Sequence, residues 1–101
     1  ARFIANPHWQ ENLRAKSGNN QQVSEYVLDQ PGVREFEENY LKVLQTVLAG
    51  YRRENKRFAT IAIGCTGGKH RSVALANEIG ARLALDPEIT VAISHRDLGR
   101  E

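Results

Sequence analysis

Phe58-Ala59-Thr60-Ile61-Ala62-Ile63 runs straight into Gly64-Cys65-Thr66-Gly67-Gly68-Lys69-His70-Arg71-Ser72. The first six residues form an apolar run with no polar alternation, which suits a strand buried on both faces of a parallel sheet. The glycine-rich stretch after it reads as a tight loop. Val73, Ala76, Ile79 or Gly80, and Leu83 then recur at helical spacing. Asp86-Pro87 closes that helix, and Ile89-Thr90-Val91-Ala92-Ile93 is a second apolar run. Strand, helix and strand within about 35 residues make a right-handed βαβ unit by default. The expected fold is therefore α/β, a small and mostly parallel sheet of about three to four strands with helices packed on it.

Upstream, Arg2-Phe3-Ile4-Ala5 reads as a short strand closed by Asn6-Pro7. Residues 16–22 are polar and linker-like. Val23 to Gln30 suggests a short helix with Ser24 as its cap, stopped by Pro31-Gly32. Val33, Phe36, Tyr40, Leu44, Val47, Leu48 and Tyr51 form the longest periodic stripe, a helix from about Val33 to Glu54. Glu35, Glu38, Asn39 and Lys42 take its other face.

At 101 residues, 41% hydrophobic and 26% charged, the chain suits one globular domain. That composition excludes wholesale disorder, collagen and disulfide scaffolds. No apolar run approaches the roughly 18 residues of a membrane span. The single cysteine, Cys65, cannot form an internal disulfide and fits a reducing, cytoplasmic setting. No methionine occurs, even at position 1, so either an initiator was removed or this is a piece of a longer protein. Residues 1–50 carry 5 basic and 6 acidic groups, and residues 51–101 carry 9 and 6. The excess gathers in Arg52, Arg53, Lys56 and Arg57, which suits either a nucleic-acid backbone or the C-terminal end of a helix dipole.

The loop carries the chemistry. Its glycines let backbone N–H groups approach a ligand, and a helix N-terminus adds partial positive charge. Lys69 and Arg71 add full charge, and Thr66 and Ser72 add hydroxyls. The pattern points to an anion. A Walker A loop is excluded, because His70 follows Gly68-Lys69 and the glycine spacing is wrong. Cys65, five residues, then Arg71-Ser72 matches a Cys-x5-Arg phosphatase loop, with Cys65 as nucleophile, Arg71 as phosphoryl clamp and Asp97 as general acid. A small core residue ending a strand is the plainer role for Cys65. His8, His70 and His95 match no zinc spacing, so no metal is expected. Trp9 is expected to be a partly buried hydrophobe.

Gly-Cys-Thr-Gly-Gly-Lys-His-Arg-Ser-Val at 64–73 resembles the signature of the RapZ (RNase adapter protein) family in its C-terminal domain. Asn6-Pro7-His8-Trp9, Leu13-Arg14, Tyr51-Arg52-Arg53, Thr60-Ile61-Ala62-Ile63 and His95-Arg96-Asp97-Leu98 agree in the same order. The resemblance implies a domain preceded, in full-length members, by a P-loop nucleotide-binding domain. ATP or GTP would belong there, with no cofactor on residues 1–101. It implies a non-enzymatic regulatory domain, an adaptor that senses a phosphorylated aminosugar and binds small RNA, with a ribonuclease as partner and a homo-oligomeric assembly. It assigns the phosphate loop to Thr66, Gly67, Gly68, Lys69, His70, Arg71 and Ser72, and adds His8, His95 and Arg96 around it. Arg2 stands where RNA-binding members keep an arginine, joining Arg52, Arg53, Lys56 and Arg57 as the RNA surface. The chain ends Leu98-Gly99-Arg100-Glu101, without the basic tail of RNA-binding members.

Overall fold

A computed structural model describes residues 1–100. It contains three helices: α1 (Gln21–Leu28), α2 (Val33–Arg53) and α3 (Arg71–Leu83), after one 3-10 turn at Pro7–Trp9. Asn20 caps α1, its side chain accepting from the amides of Gln22 and Val23. The cap therefore lies four residues before Ser24, and the linker-like segment is part of the helix start. Gly32, with φ of 84°, enters α2 in the left-handed region, which the preceding Pro31 turn requires. Arg52 and Arg53 occupy the last turn of α2, where positive charge meets the dipole favourably.

α1 packs most extensively on α3, and α2 touches both. Ile4, Leu13, Val23, Val27, Leu28, Val33, Leu41, Leu44, Ala74, Leu75 and Ile79 make one buried cluster. Each large member contributes about 1.5–3 kcal/mol. The buried seam of α2 is Val33, Glu37, Leu41 and Leu44. It is rotated from the stripe read in the sequence, since Phe36 and Val47 lie outside it.

Glu37 causes that rotation. Its carboxylate is 0% exposed and meets Arg82 of α3 at 2.8 Å and Arg34 at 3.5 Å. Arg82 also holds Glu38 at 2.8 Å, and Arg34 reaches Asp29 at 3.5 Å and Glu78 at 3.6 Å. Burial, then the hydrogen bond and charge of Glu78, push the Glu37 carboxyl above its ordinary range, against the pull of the two arginines.

The α/β expectation is overturned: among the described residues there is no strand and no sheet. Residues 58–63 and 89–93 have no regular secondary structure, and no backbone hydrogen bond links 58–63 or 90–94 to another described segment. Ile61 and Ile63 turn to the core, while Phe58 is 92% exposed. The intervening Ala59, Thr60 and Ala62 face outward. Small side chains made a one-sided cover look like a run buried on both faces. Residues 2–5 are not a strand either. They belong to a turn in which the Ile4 amide donates to the Ala1 carbonyl, with Ile4 buried beneath.

Candidate anion-binding loop

Residues 64–70 lead from residues 58–63 into α3. Gly68 adopts φ of 72°, a conformation that favours glycine. His70, at the N-cap of α3, makes no side-chain cap bond, and the first turn holds no acidic residue. The Ser72 amide turns to Cys65, and no carboxylate of the helix itself meets the leading amides, the arrangement that attracts an anion. Two braces hold the loop from residues 13–20. The Gly18 amide donates to the Lys69 carbonyl at 2.8 Å, and His70 Nε2 lies 3.1 Å from the Arg14 carbonyl, so it is the donor. His70 is buried, and that burial lowers its pKa.

Cys65 Sγ lies 3.3 Å from Ser72 Oγ. Burial pushes the thiol pKa up. The Ser72 hydroxyl, the amides of Ser72 and Gly68, and the Arg71 charge more than offset it, leaving a value of about 7.

Arg71 is placed differently from the clamp read in the sequence. It is 5% exposed, and its Nη1 donates to the carbonyls of Ile4 at 2.9 Å and Arg2 at 3.3 Å. Its Nη2 donates to Thr66 Oγ1 at 3.3 Å. The guanidinium thus ties the N-terminal segment to the loop. Thr66, Gly67 and half-buried Lys69 form the loop's accessible side.

Asp97 lies over the loop: a Cβ placed on Gly68 would meet the Asp97 Cβ at 2.9 Å and its Oδ2 at 3.3 Å. Arg96 grips that carboxylate with two 3.0 Å bonds, which hold Asp97 below its ordinary range. His95 Nε2 sits 3.0 Å from Asn77 Oδ1, and Asn77 Nδ2 donates to Asn19 Oδ1 at 2.8 Å. His8 is exposed, its ring centre 5.1 Å from that of Trp9 in an edge-on contact, and Trp9 is 74% exposed, not the partly buried residue expected.

The structure brings together Cys65 to Ser72 and Asp97. The basic group of α2 is separately engaged. Arg52 pairs with Asp86 at 3.2 Å and Glu88 at 3.6 Å, and Lys56 sits 5.3 Å from the Tyr51 ring centre. Arg2, Arg53 and Arg57 are exposed. Arg14, Gly18 and Asn77 support the site without having been named as site residues from the sequence. Only the glycine, inside a polar segment, hinted at a close approach. Among the described residues no group of three or more His, Cys, Asp or Glu side chains could hold a metal ion. No helix there is long and apolar enough to cross a membrane.

A helical domain with a glycine-rich loop at the start of α3 is a candidate ligand-binding module. Comparison with known proteins gives it a family. The RapZ C-terminal domain matches residues 1–99, and the chain belongs to that family. It is 58% identical over its whole length to a protein of Paenarthrobacter aurescens strain TC1 named nucleotide-binding protein. Over 99% of its length it is 56% identical to one of that description in Streptomyces coelicolor and 55% identical to another in Mycobacteroides abscessus. The chain spans 33% of each of these relatives.

Proposed function

We propose that this domain binds a phosphorylated small molecule and serves a regulatory protein of the cytoplasm. The carrying observation is the start of α3. Its first turn, free of carboxylates, follows a left-handed Gly68, with Lys69 and Thr66 at the open side. A phosphate there meets backbone donors, a helix dipole and one flexible ammonium. Asp97 above Gly68 supplies the opposite chemistry, a carboxylate suited to an amino or hydroxyl group. A ligand carrying both, such as an aminosugar phosphate, suits this pairing better than bare phosphate does. Arg71 positions the loop through the Ile4 and Arg2 carbonyls. His8, His95 and Arg96 stand as rim residues.

Calorimetry with an aminosugar phosphate, the corresponding sugar phosphate and inorganic phosphate tests this reading. Affinity falls in that order, and Lys69→Ala weakens all three by about tenfold. No binding of any phosphate, or an unchanged affinity in Lys69→Ala, defeats it. The longer relatives are named nucleotide-binding proteins. By that reading ATP or GTP is handled outside these residues. RNA contact, with a ribonuclease as partner, would use Arg2, Arg53 and Arg57, and would weaken steeply with salt.

One observation favours a second reading. Cys65, with its pKa near 7 and five residues before Arg71, has the make-up of a phosphatase nucleophile. Against it, Arg71 spends its Nη1 on backbone carbonyls, and Asp97 is held ionised by Arg96, the wrong state for a general acid. Turnover of an aryl phosphate that disappears in Cys65→Ser would establish this chemistry, and absence of turnover removes it.

A further inference from the structure

The chain after Ile89 runs back along α3 toward the loop. Ile93 lies over Gly80, where a Cβ would meet its Cδ1 at 2.5 Å. His95 lies against Asn77, with Nε2 3.0 Å from Asn77 Oδ1. Asp97 then lies over Gly68. Positions 77 and 80 are three apart and share a face of α3. The backbone of this stretch does not secure it there. The Leu98 amide donates to the His95 carbonyl at 3.3 Å and the Arg100 amide to the Asp97 carbonyl at 2.9 Å, bonds that shape a turn without reaching α3. Arg96 orients the Asp97 carboxylate, but it is exposed and adjacent in the chain, so it anchors nothing. Among the described residues, the hydrogen bond that fastens the stretch to the helix is the one from His95 to Asn77.

Asn77 uses both ends of its carboxamide. Its Nδ2 donates to Asn19 Oδ1 at 2.8 Å, which leaves Oδ1 to accept from His95 Nε2. Asn19 follows Gly18, whose amide holds the Lys69 carbonyl at 2.8 Å. One side chain therefore spans the two walls of the loop, residues 17–19 behind Lys69 and residues 95–97 carrying Asp97. We infer that Asn77 is a positioning residue that sets the separation of Lys69 and the Asp97 carboxylate. It thereby sets the preference for a phosphorylated ligand with an amino group over the same ligand with a hydroxyl. The inference rests on the phosphate reading of the loop. An ammonium brings charge to the carboxylate and a hydroxyl does not, and a charge-assisted bond is about twice as strong as a neutral one. That difference is realised only where the carboxylate is held in place, to within about 0.5 Å. The phosphate end depends less on Asn77, because Gly18 holds Lys69 through its own amide.

Calorimetry on this chain with a hexosamine phosphate, the matching hexose phosphate and inorganic phosphate tests the inference. The unaltered chain should prefer the amine by about tenfold, and Asn77→Leu should reduce that preference to about twofold or less. Inorganic phosphate should bind Asn77→Leu within about threefold of its original affinity. Asn77→Asp keeps an acceptor for His95 and should restore most of the preference, which a general loosening of the fold would not allow. His95→Leu cuts the same bond from the other side and takes the place of Asn77→Leu if that variant does not fold. Nuclear relaxation of the Asp97 amide needs no ligand: its order parameter should fall from about 0.85 toward about 0.6 in either leucine variant. A preference that survives in both leucine variants overturns the inference, and so does an Asp97 amide equally ordered in all of them. A chain that binds no phosphate at all overturns the loop reading, and the preference with it.

Discussion

Gly18 shows how a single residue can join two parts of this chain. A Cβ there would sit 2.4 Å from the His70 carbonyl oxygen and 2.5 Å from the Ala74 amide, both backbone atoms that cannot swing aside. Gly18→Ala should therefore cost about 2 kcal/mol or more in urea unfolding, far above the effect of an ordinary surface change. Cys65 offers a titration. Its pKa is lowered to about 7, so alkylation by iodoacetamide should rise with a midpoint near pH 7, and Ser72→Ala should move the midpoint upward. For an acid with a depressed folded value, the stabilising contribution is complete above the unfolded value and fades as pH falls through about 7. Both residues were legible in part: the cysteine was read as a chemical question, but its partners became visible only with the fold. Arg71 shows what the fold adds to the letters. The sequence shows an arginine in a phosphate-like loop, but cannot show that carbonyls sixty-odd residues upstream reach it first.

At the level of elements, the helices were readable and their contacts were not. The spacing of Val33 to Tyr51 located α2 within one residue of its observed end. It misplaced the buried face: Glu37 stood in neither the apolar stripe nor the polar face read from the spacing, yet it is the most enclosed carboxylate of the described residues. Arg82→Met leaves that carboxylate with only the longer Arg34 contact. It should destabilise the fold by roughly 3 kcal/mol at neutral pH, the usual consequence of stranding one partner of a buried pair. The loss should shrink in acid. With its folded pKa raised, Glu37 contributes stability below its unfolded value and loses it as pH rises through the folded value. Chemical unfolding of both proteins across pH 4 to 8 measures the difference. The apolar runs failed as strands for a related reason. Apolar letters report a preference for burial, but ladder formation needs a neighbour, and none of the described residues supplies one.

For the whole molecule, family and loop were accessible from ten adjacent residues, while the helical architecture had to be seen. A ligand that binds the folded loop adds stability by mass action, about 2.7 kcal/mol at a hundredfold excess over its Kd. An aminosugar phosphate should accordingly raise the melting temperature of the chain, and Lys69→Ala should abolish the shift, as thermal unfolding would show. The bracing of the loop has one further effect. Gly18 and Arg14 hold Lys69 and His70 through backbone atoms, and Arg71 fastens Thr66, so the loop is largely fixed before any ligand arrives. Association then avoids most of the ordering penalty of a mobile loop, about 0.5–1.5 kcal/mol for each side chain that would otherwise be immobilised. If a phosphate binds there as proposed, recognition becomes a matter of fit to a standing shape, and the side chains left to adjust to it are Lys69 and the exposed Arg96.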